Sequence, residues 1–119
     1  PNIYQGGIIT LGINLALKSL NKFTAKLPLI DISNQKKVIG KDTKSAINSG
    51  VYIGYSCLIN GILEKIIKQT KKKYLVVLTG GYSKIFKKSI KFKSVINKDI
   101  TLYGLTIIVK QNKKVFNEN

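Results

Sequence analysis

Residues 71–88, KKKYLVVLTGGYSKIFKK, constrain what this chain can fold into more than any other stretch. A lysine run gives way to the apolar residues Leu75 to Leu78, then to Thr79-Gly80-Gly81, then to helically spaced Ile85 and Phe86. A short buried strand that ends on glycines and feeds a helix predicts a turn at the carboxyl edge of a sheet. There, open backbone N–H groups and missing Cβ atoms let a flat ring lie against the main chain. Nucleotides bind at such edges, but the same turn is also a common tight connection, and alone it is a weak signal.

The flanking sequence supplies layers for that sheet. Residues 3–11 read as an extended apolar stretch, with Gly6-Gly7 marking a bulge or a close backbone approach. From Gly12 the spacing turns helical through Ile13, Ala16, Leu17, Leu20 and Phe23, and Pro28 is expected to stop this helix at about Leu27. A long second helix starts at Asp42 or Thr43, either of which can cap it, and runs to about Lys72. Gly50, Gly54 and Gly61 lie inside it. Each glycine costs about 1 kcal/mol relative to alanine, so they predict a closely packed second backbone, either in the same domain or in another subunit. Residues 74–78 and 90–96 read as strands and 82–88 as a short helix. Residues 99–112, DITLYGLTIIVKQN, are rich in β-branched residues, yet Leu102, Leu105, Ile108 and Val109 form a helical stripe, and a helix is expected. The order implies a layered α/β domain with a mixed sheet flanked by helices.

Composition narrows the chemistry. The 119 residues allow one core, and none of the apolar runs approaches the length of about 18 residues needed to cross a bilayer. The net charge is +16, but all 21 basic residues are lysine. Arginine, the planar reader of phosphates and bases, is absent, so the charge reads as a solvated lysine-rich surface and not as a nucleic-acid footprint. Histidine is absent and Cys57 is the single cysteine, which excludes an internal disulfide, a zinc site and a histidine-assisted nucleophile within this chain. A reducing, cytoplasmic setting fits. The chain begins at Pro1 and contains no methionine, so it reads as part of a longer product.

Five segments stand in a recognisable order: GGIITLGI (6–13), KLPLID (26–31), VIGKDTKSAINSGVYIGYSCLINGILEKI (38–66), VVLTGG (76–81) and DITLYGLTIIVKQN (99–112). Together they resemble the carboxyl-terminal half of type III pantothenate kinase, in the actin-like ATPase superfamily. The resemblance implies a partial ribonuclease-H-like domain over residues 1–119 that lacks its first strands, with residues 114–119 a frayed tail. It implies phosphoryl transfer from ATP, with Mg2+ and a monovalent cation (K+ or NH4+), to the hydroxyl of pantothenate, the first step toward coenzyme A, in a homodimer. Matched to the family's motifs, Thr43 contacts pantothenate, Gly7, Ile9 and Gly12 line the same side, and Thr79, Gly80 and Gly81 form the adenosine-side turn. Capping of its helix is the safer explanation of Thr43, and the two roles are compatible.

Two departures stand out. Leu11 replaces the family's proline, which frees a turn, and Asp42 replaces asparagine, which places a negative charge beside the pocket of an anionic substrate. Asp42 is expected to point outward as a cap. The family's phosphate-cradling D-x-G-N-T turn, its A-D-R base and its cation-binding aspartate do not occur in these residues. The chain therefore carries no catalytic or metal-ligating residue of that machinery and is expected to be inactive alone. Two other readings stay open: a nonenzymatic relative acting as a transcriptional accessory factor, and an unrelated lysine-rich nucleic-acid-binding domain.

Overall fold

The computed structural model describes residues 3–112, so the expected frayed tail at 114–119 lies outside the described residues. The chain is mixed α/β and divides into two compact units, one ending at Gly54 and one beginning at Tyr55.

In the first unit, α1 (Ile13–Phe23) follows the predicted stripe: Leu17 is buried and Ile13, Ala16 and Leu20 are half-buried. Phe23, expected to face inward, is 78% exposed and lies under the Lys22 ammonium, 5.7 Å from the ring centroid. The helix stops four residues before Leu27. Thr24 has left helical geometry (φ −120°, ψ 144°) and its hydroxyl bonds back to the Leu20 carbonyl, so Pro28 has nothing left to terminate. Residues 3–11 do not form a strand, because a strand needs a partner and the described residues of this unit offer none. Gly6 adopts φ +118°, a conformation open to glycine, and the segment leaves Ile9 99% exposed. The core of this unit is Leu17, Ile30, Ile32, Ile47, Val51 and Tyr52.

Helix α2 (Thr43–Thr70) begins in the first unit and continues into the second. Against expectation, it is long and apolar enough to cross a membrane by length and composition, with an 18-residue stretch of mean hydropathy 1.2. Its Asn48, Ser49 and Asn60 are nonetheless buried and hydrogen-bonded to loop backbone, which is how a core helix uses polar side chains. Of the two settings expected for close packing at Gly50, Gly54 and Gly61, the one within this chain is not found: a Cβ built at each meets nothing within 4 Å among the described residues. The helix ends at Thr70, whose hydroxyl donates to the Ile66 carbonyl, and Lys71 then takes a left-handed φ of 54°. This geometry is strained for lysine, whereas glycine adopts it freely. Lys71→Gly is expected to stabilise the protein by about 0.5–1 kcal/mol, read as a higher denaturation midpoint.

The second unit holds β1 (Val76–Leu78), α3 (Ser83–Lys87), β2 (Ser94–Ile96) and α4 (Ile100–Gln111). The two strands pair in parallel, Val76 with Ser94, Val77 with Val95 and Leu78 with Ile96. Among the described residues the sheet is these two parallel strands and not a mixed one. Helix α3 supplies the crossover and packs on β2, and Phe86, 3% exposed, fills the space beneath it with its ring 6.5 Å from that of Tyr55. The second strand is shorter than the expected 90–96 because Asn60 of α2 occupies the backbone just before it. Asn60 Nδ2 donates to the Ser89 carbonyl (2.8 Å) and Oδ1 accepts from the Lys91 N–H (2.9 Å). Helix α4 forms as expected, but its stripe is not covered: Leu102, Leu105, Ile108 and Val109 all lie exposed among the described residues.

Candidate functional site

The first unit presents its chemistry at the start of α2. Asp42 caps the helix: its Oδ1 accepts from the Ser45 N–H (2.8 Å), while Ser45 Oγ accepts from the Asp42 N–H (3.2 Å) and the Lys41 N–H (3.1 Å). This reciprocal box satisfies donors that a helix start leaves open. The Ser45 backbone N–H, followed by the Ser45 hydroxyl, holds the Asp42 carboxyl below the usual carboxylate range, so it is charged near neutrality. A lowered folded value means that this group adds stability above its unfolded pKa, about 3.9, and loses it as pH falls through the lower folded value. NMR titration should place the Asp42 midpoint below that of an unstructured aspartate; an ordinary midpoint would contradict the cap.

With Asp42 as the cap, the Thr43 hydroxyl is left exposed and makes no hydrogen bond among the described residues. The alternative that Thr43 itself caps the helix is therefore overturned, since Asp42 has two acceptor oxygens in place and takes the N–H of Ser45. Asp42 does more than point outward, however. It lines a cavity of about 410 Å³ with Gln35, Lys36, Lys37, Lys41 and Ser45, and a second of about 230 Å³ with Ser33 and Asn48. Its negative charge thus sits at a mouth that also carries lysines.

The loop that walls these cavities is fastened to α2 by side chains. Asn48, 6% exposed, accepts the Ser33 N–H (2.9 Å) and donates to the Ser33 carbonyl (3.0 Å) and to Gln35 Oε1 (2.8 Å). Gln35 Nε2 donates to the carbonyls of Lys37 (2.8 Å) and Ser45 (3.2 Å), and Ser49 Oγ donates to the Val38 carbonyl. Gly40 closes the loop. A Cβ there would stand 2.3 Å from Ala46 N and 2.5 Å from Ala46 Cα. Gly40 opens the Gly40-Lys41-Asp42-Thr43 run, and reading that run for its threonine missed that the glycine is where the loop meets helix backbone.

Of the residues expected on the substrate side, Thr43, Gly7, Ile9 and Gly12 are all exposed and line neither of these two cavities. The space at Gly7 is taken by the Tyr4 hydroxyl, 2.7 Å from a built Cβ, while Gly12 is open and precedes α1. In the second unit, Thr79-Gly80-Gly81 leaves the carboxyl end of β1 as predicted. Gly80 has φ +91°, its carbonyl accepts from Ser83 Oγ (2.8 Å), and a Cβ at either glycine would meet nothing within 4 Å. The turn is bare main chain open to a flat ligand. Helix α3 has only five residues, so its dipole adds little at this turn. Among the described residues no group of three or more His, Cys, Asp or Glu is disposed to hold a metal ion.

The mixed α/β chain thus offers a glycine-opened turn at the end of a parallel strand in its second unit and a lysine-flanked cavity at a capped helix start in its first. The comparisons with known proteins identify the family. The family model for type III pantothenate kinase matches residues 1–65. The chain is 42% identical to the type III pantothenate kinase of Pelagibacter ubique over 104 residues, covering 87% of this chain and 42% of the relative. It is 41% identical to that of Jannaschia sp. (92% of this chain, 42% of the relative) and 36% identical to that of Paracoccus denitrificans (96% and 44%). The chain belongs to the type III pantothenate kinase family, and it spans less than half the length of these curated relatives. Membership sets aside the reading of an unrelated lysine-rich nucleic-acid-binding domain.

Proposed function

We propose that this chain is the pantothenate- and adenosine-contacting portion of an ATP-dependent pantothenate kinase, which phosphorylates the primary hydroxyl of pantothenate in the first step toward coenzyme A. The observation that carries the reading is the Thr43 hydroxyl, exposed and uncommitted because Asp42 has taken over the cap. A hydroxyl both donates and accepts, so it suits an acceptor that carries hydroxyl, amide and carboxylate groups. On this reading Gly7, Ile9 and Gly12 belong to the same substrate side, and Thr79, Gly80 and Gly81 carry the adenosine, whose ring lies on a main chain that no Cβ screens. The larger protein would be an actin-like ATPase with a ribonuclease-H-like half over residues 1–119. It would act in the cytoplasm as a homodimer, and the exposed, open Cβ positions of Gly50 and Gly54 support a close approach by a second copy.

What these residues contribute is binding and orientation. Phosphoryl transfer gains most of its rate from positioning and from neutralising charge on the phosphates. The role proposed for these residues rests on a hydroxyl and on bare main chain, and no step of it is routed through the Mg2+ or the monovalent cation that the family resemblance implies. Joining this chain to the part of the Pelagibacter ubique relative that it does not match gives a full-length hybrid. The hybrid should phosphorylate pantothenate with ATP. Thr43→Ala should raise its Michaelis constant for pantothenate about tenfold, the worth of one hydrogen bond to a charged or polar group, while Thr43→Ser retains most of the affinity. A hybrid indifferent to Thr43→Ala would refute the assigned contact.

A further inference from the structure

Gln35 and Asn48 border the cavities at Asp42, but their side-chain polar groups are turned to the protein itself. All their polar atoms are engaged within the protein: Asn48 with both backbone groups of Ser33 and with Gln35, and Gln35 with Asn48 and with the carbonyls of Lys37 and Ser45. The bonds of Asn48 and the bond from Gln35 to Ser45 tie the 33–37 loop to the first two turns of α2, and the bond from Gln35 to Lys37 braces the loop itself. The Ser45 carbonyl that Gln35 holds belongs to the residue whose side chain accepts from Lys41 and Asp42. A chain of side-chain bonds therefore runs from the buried Asn48, through Gln35, to the backbone that carries Asp42 and Thr43. The two amides also have a fixed sense. Asn48 must present its NH2 to Gln35, because Gln35 must keep its own NH2 for two carbonyls.

We propose that Gln35 and Asn48 are positioning residues that fix the Gly40–Thr43 turn, and so set the affinity for the acceptor substrate through that turn and not through a hydrogen bond to it. This rests on the reading of Thr43 as the pantothenate contact. The donor sense of the pair supplies the test. In Asn48→Asp the carboxylate still accepts from the Ser33 N–H but can donate neither to the Ser33 carbonyl nor to Gln35, so the Gln35 amide must turn over and give up its two carbonyls. In Asn48→Asp/Gln35→Lys the ammonium, with three donors, can neutralise the new carboxylate and serve both carbonyls that Gln35 held, leaving the Ser33 carbonyl as the one group not restored.

The experiment measures Michaelis constants and amide hydrogen exchange in the full-length hybrid. Asn48→Asp should raise the pantothenate constant about tenfold, leave kcat and the ATP constant within about twofold, and lower protection of the Lys41 and Asp42 amides at least tenfold. The double variant should recover most of both losses. The inference is overturned if Asn48→Asp leaves the pantothenate constant unchanged, if it moves kcat and both constants together, or if the double variant is no better than the single one. A pantothenate constant insensitive to Thr43→Ala would instead refute the Thr43 contact, and exchange at Lys41 and Asp42 would still decide whether the pair holds the turn.

Discussion

Replacing Gly40 with alanine is expected to cost about 3 kcal/mol or more, the largest loss from adding a single methyl group in this chain. The new Cβ would lie 2.3 Å from Ala46 N, 2.5 Å from Ala46 Cα and 2.6 Å from the Ser45 carbonyl carbon, all of them backbone atoms of α2. No flexible side chain can yield. To relieve the clash the loop must lift from the helix, which breaks the bonds from Lys41 N and Asp42 N to Ser45 Oγ and takes Asp42 out of its cap. The loss should appear as a lower denaturation midpoint and as faster amide exchange at Ser45 and Ala46. Gly81→Ala is the control: its Cβ meets nothing within 4 Å and its φ is not left-handed, so stability should change by less than about 0.5 kcal/mol. Equal stability of the two variants would mean that the loop does not rest on α2 at Gly40.

Asn60→Asp should be nearly as damaging, and in a pH-dependent way. Asn60 is 6% exposed and its Nδ2 donates to the carbonyls of Ser56 (2.9 Å) and Ser89 (2.8 Å). The substitution keeps the shape and turns both donations into contacts between a carboxylate and a carbonyl oxygen. The result is a buried charge without a partner on that side, with an expected cost of about 3 kcal/mol at neutral pH and a fall in Tm of about 10 °C. Burial and the facing carbonyls would raise the folded pKa of the new acid above its unfolded value. The folded state then binds more protons, so the penalty grows as pH rises through the unfolded value and shrinks below about pH 4, where the protonated acid can donate to one carbonyl. A penalty that does not change between pH 7 and pH 4 would contradict the two donations.

The elements that the sequence made legible are those whose pattern is local. The helices read from apolar spacing, α1 and α4, the long helix read from its capped start, α2, and the strand, glycine pair and helix at 75–87 all form. The helical stripe at 99–112 outweighed its β-branched residues, although no partner covers it among the described residues. What failed depended on partners that periodicity does not encode. Residues 3–11 have strand composition and nothing to pair with, and residues 90–93 were shortened as a strand because a side chain 31 positions away in sequence takes the Lys91 N–H. The ends of α1 and α2 depend on a threonine back-bond and on a lysine held at φ 54°, neither of which a hydrophobic pattern reveals. The site shows the same division. Thr43 and the glycine turn were readable as motifs, whereas Gly40, Gln35 and Asn48 matter through contacts between a loop and a helix that are distant in sequence.

The central claim is that the start of α2 serves the acceptor and the glycine turn after β1 serves the nucleotide. The most direct measurement is the pair of Michaelis constants, for pantothenate and for ATP, in hybrids carrying Thr43→Ala or Gly81→Leu. Position 81 is open, so leucine there should leave the fold intact and obstruct only a ligand lying on the main chain. The expected result is crossed: Thr43→Ala raises the pantothenate constant about tenfold and spares ATP, and Gly81→Leu does the reverse. Uncrossed effects, with either substitution moving both constants alike or neither, would contradict the assignment.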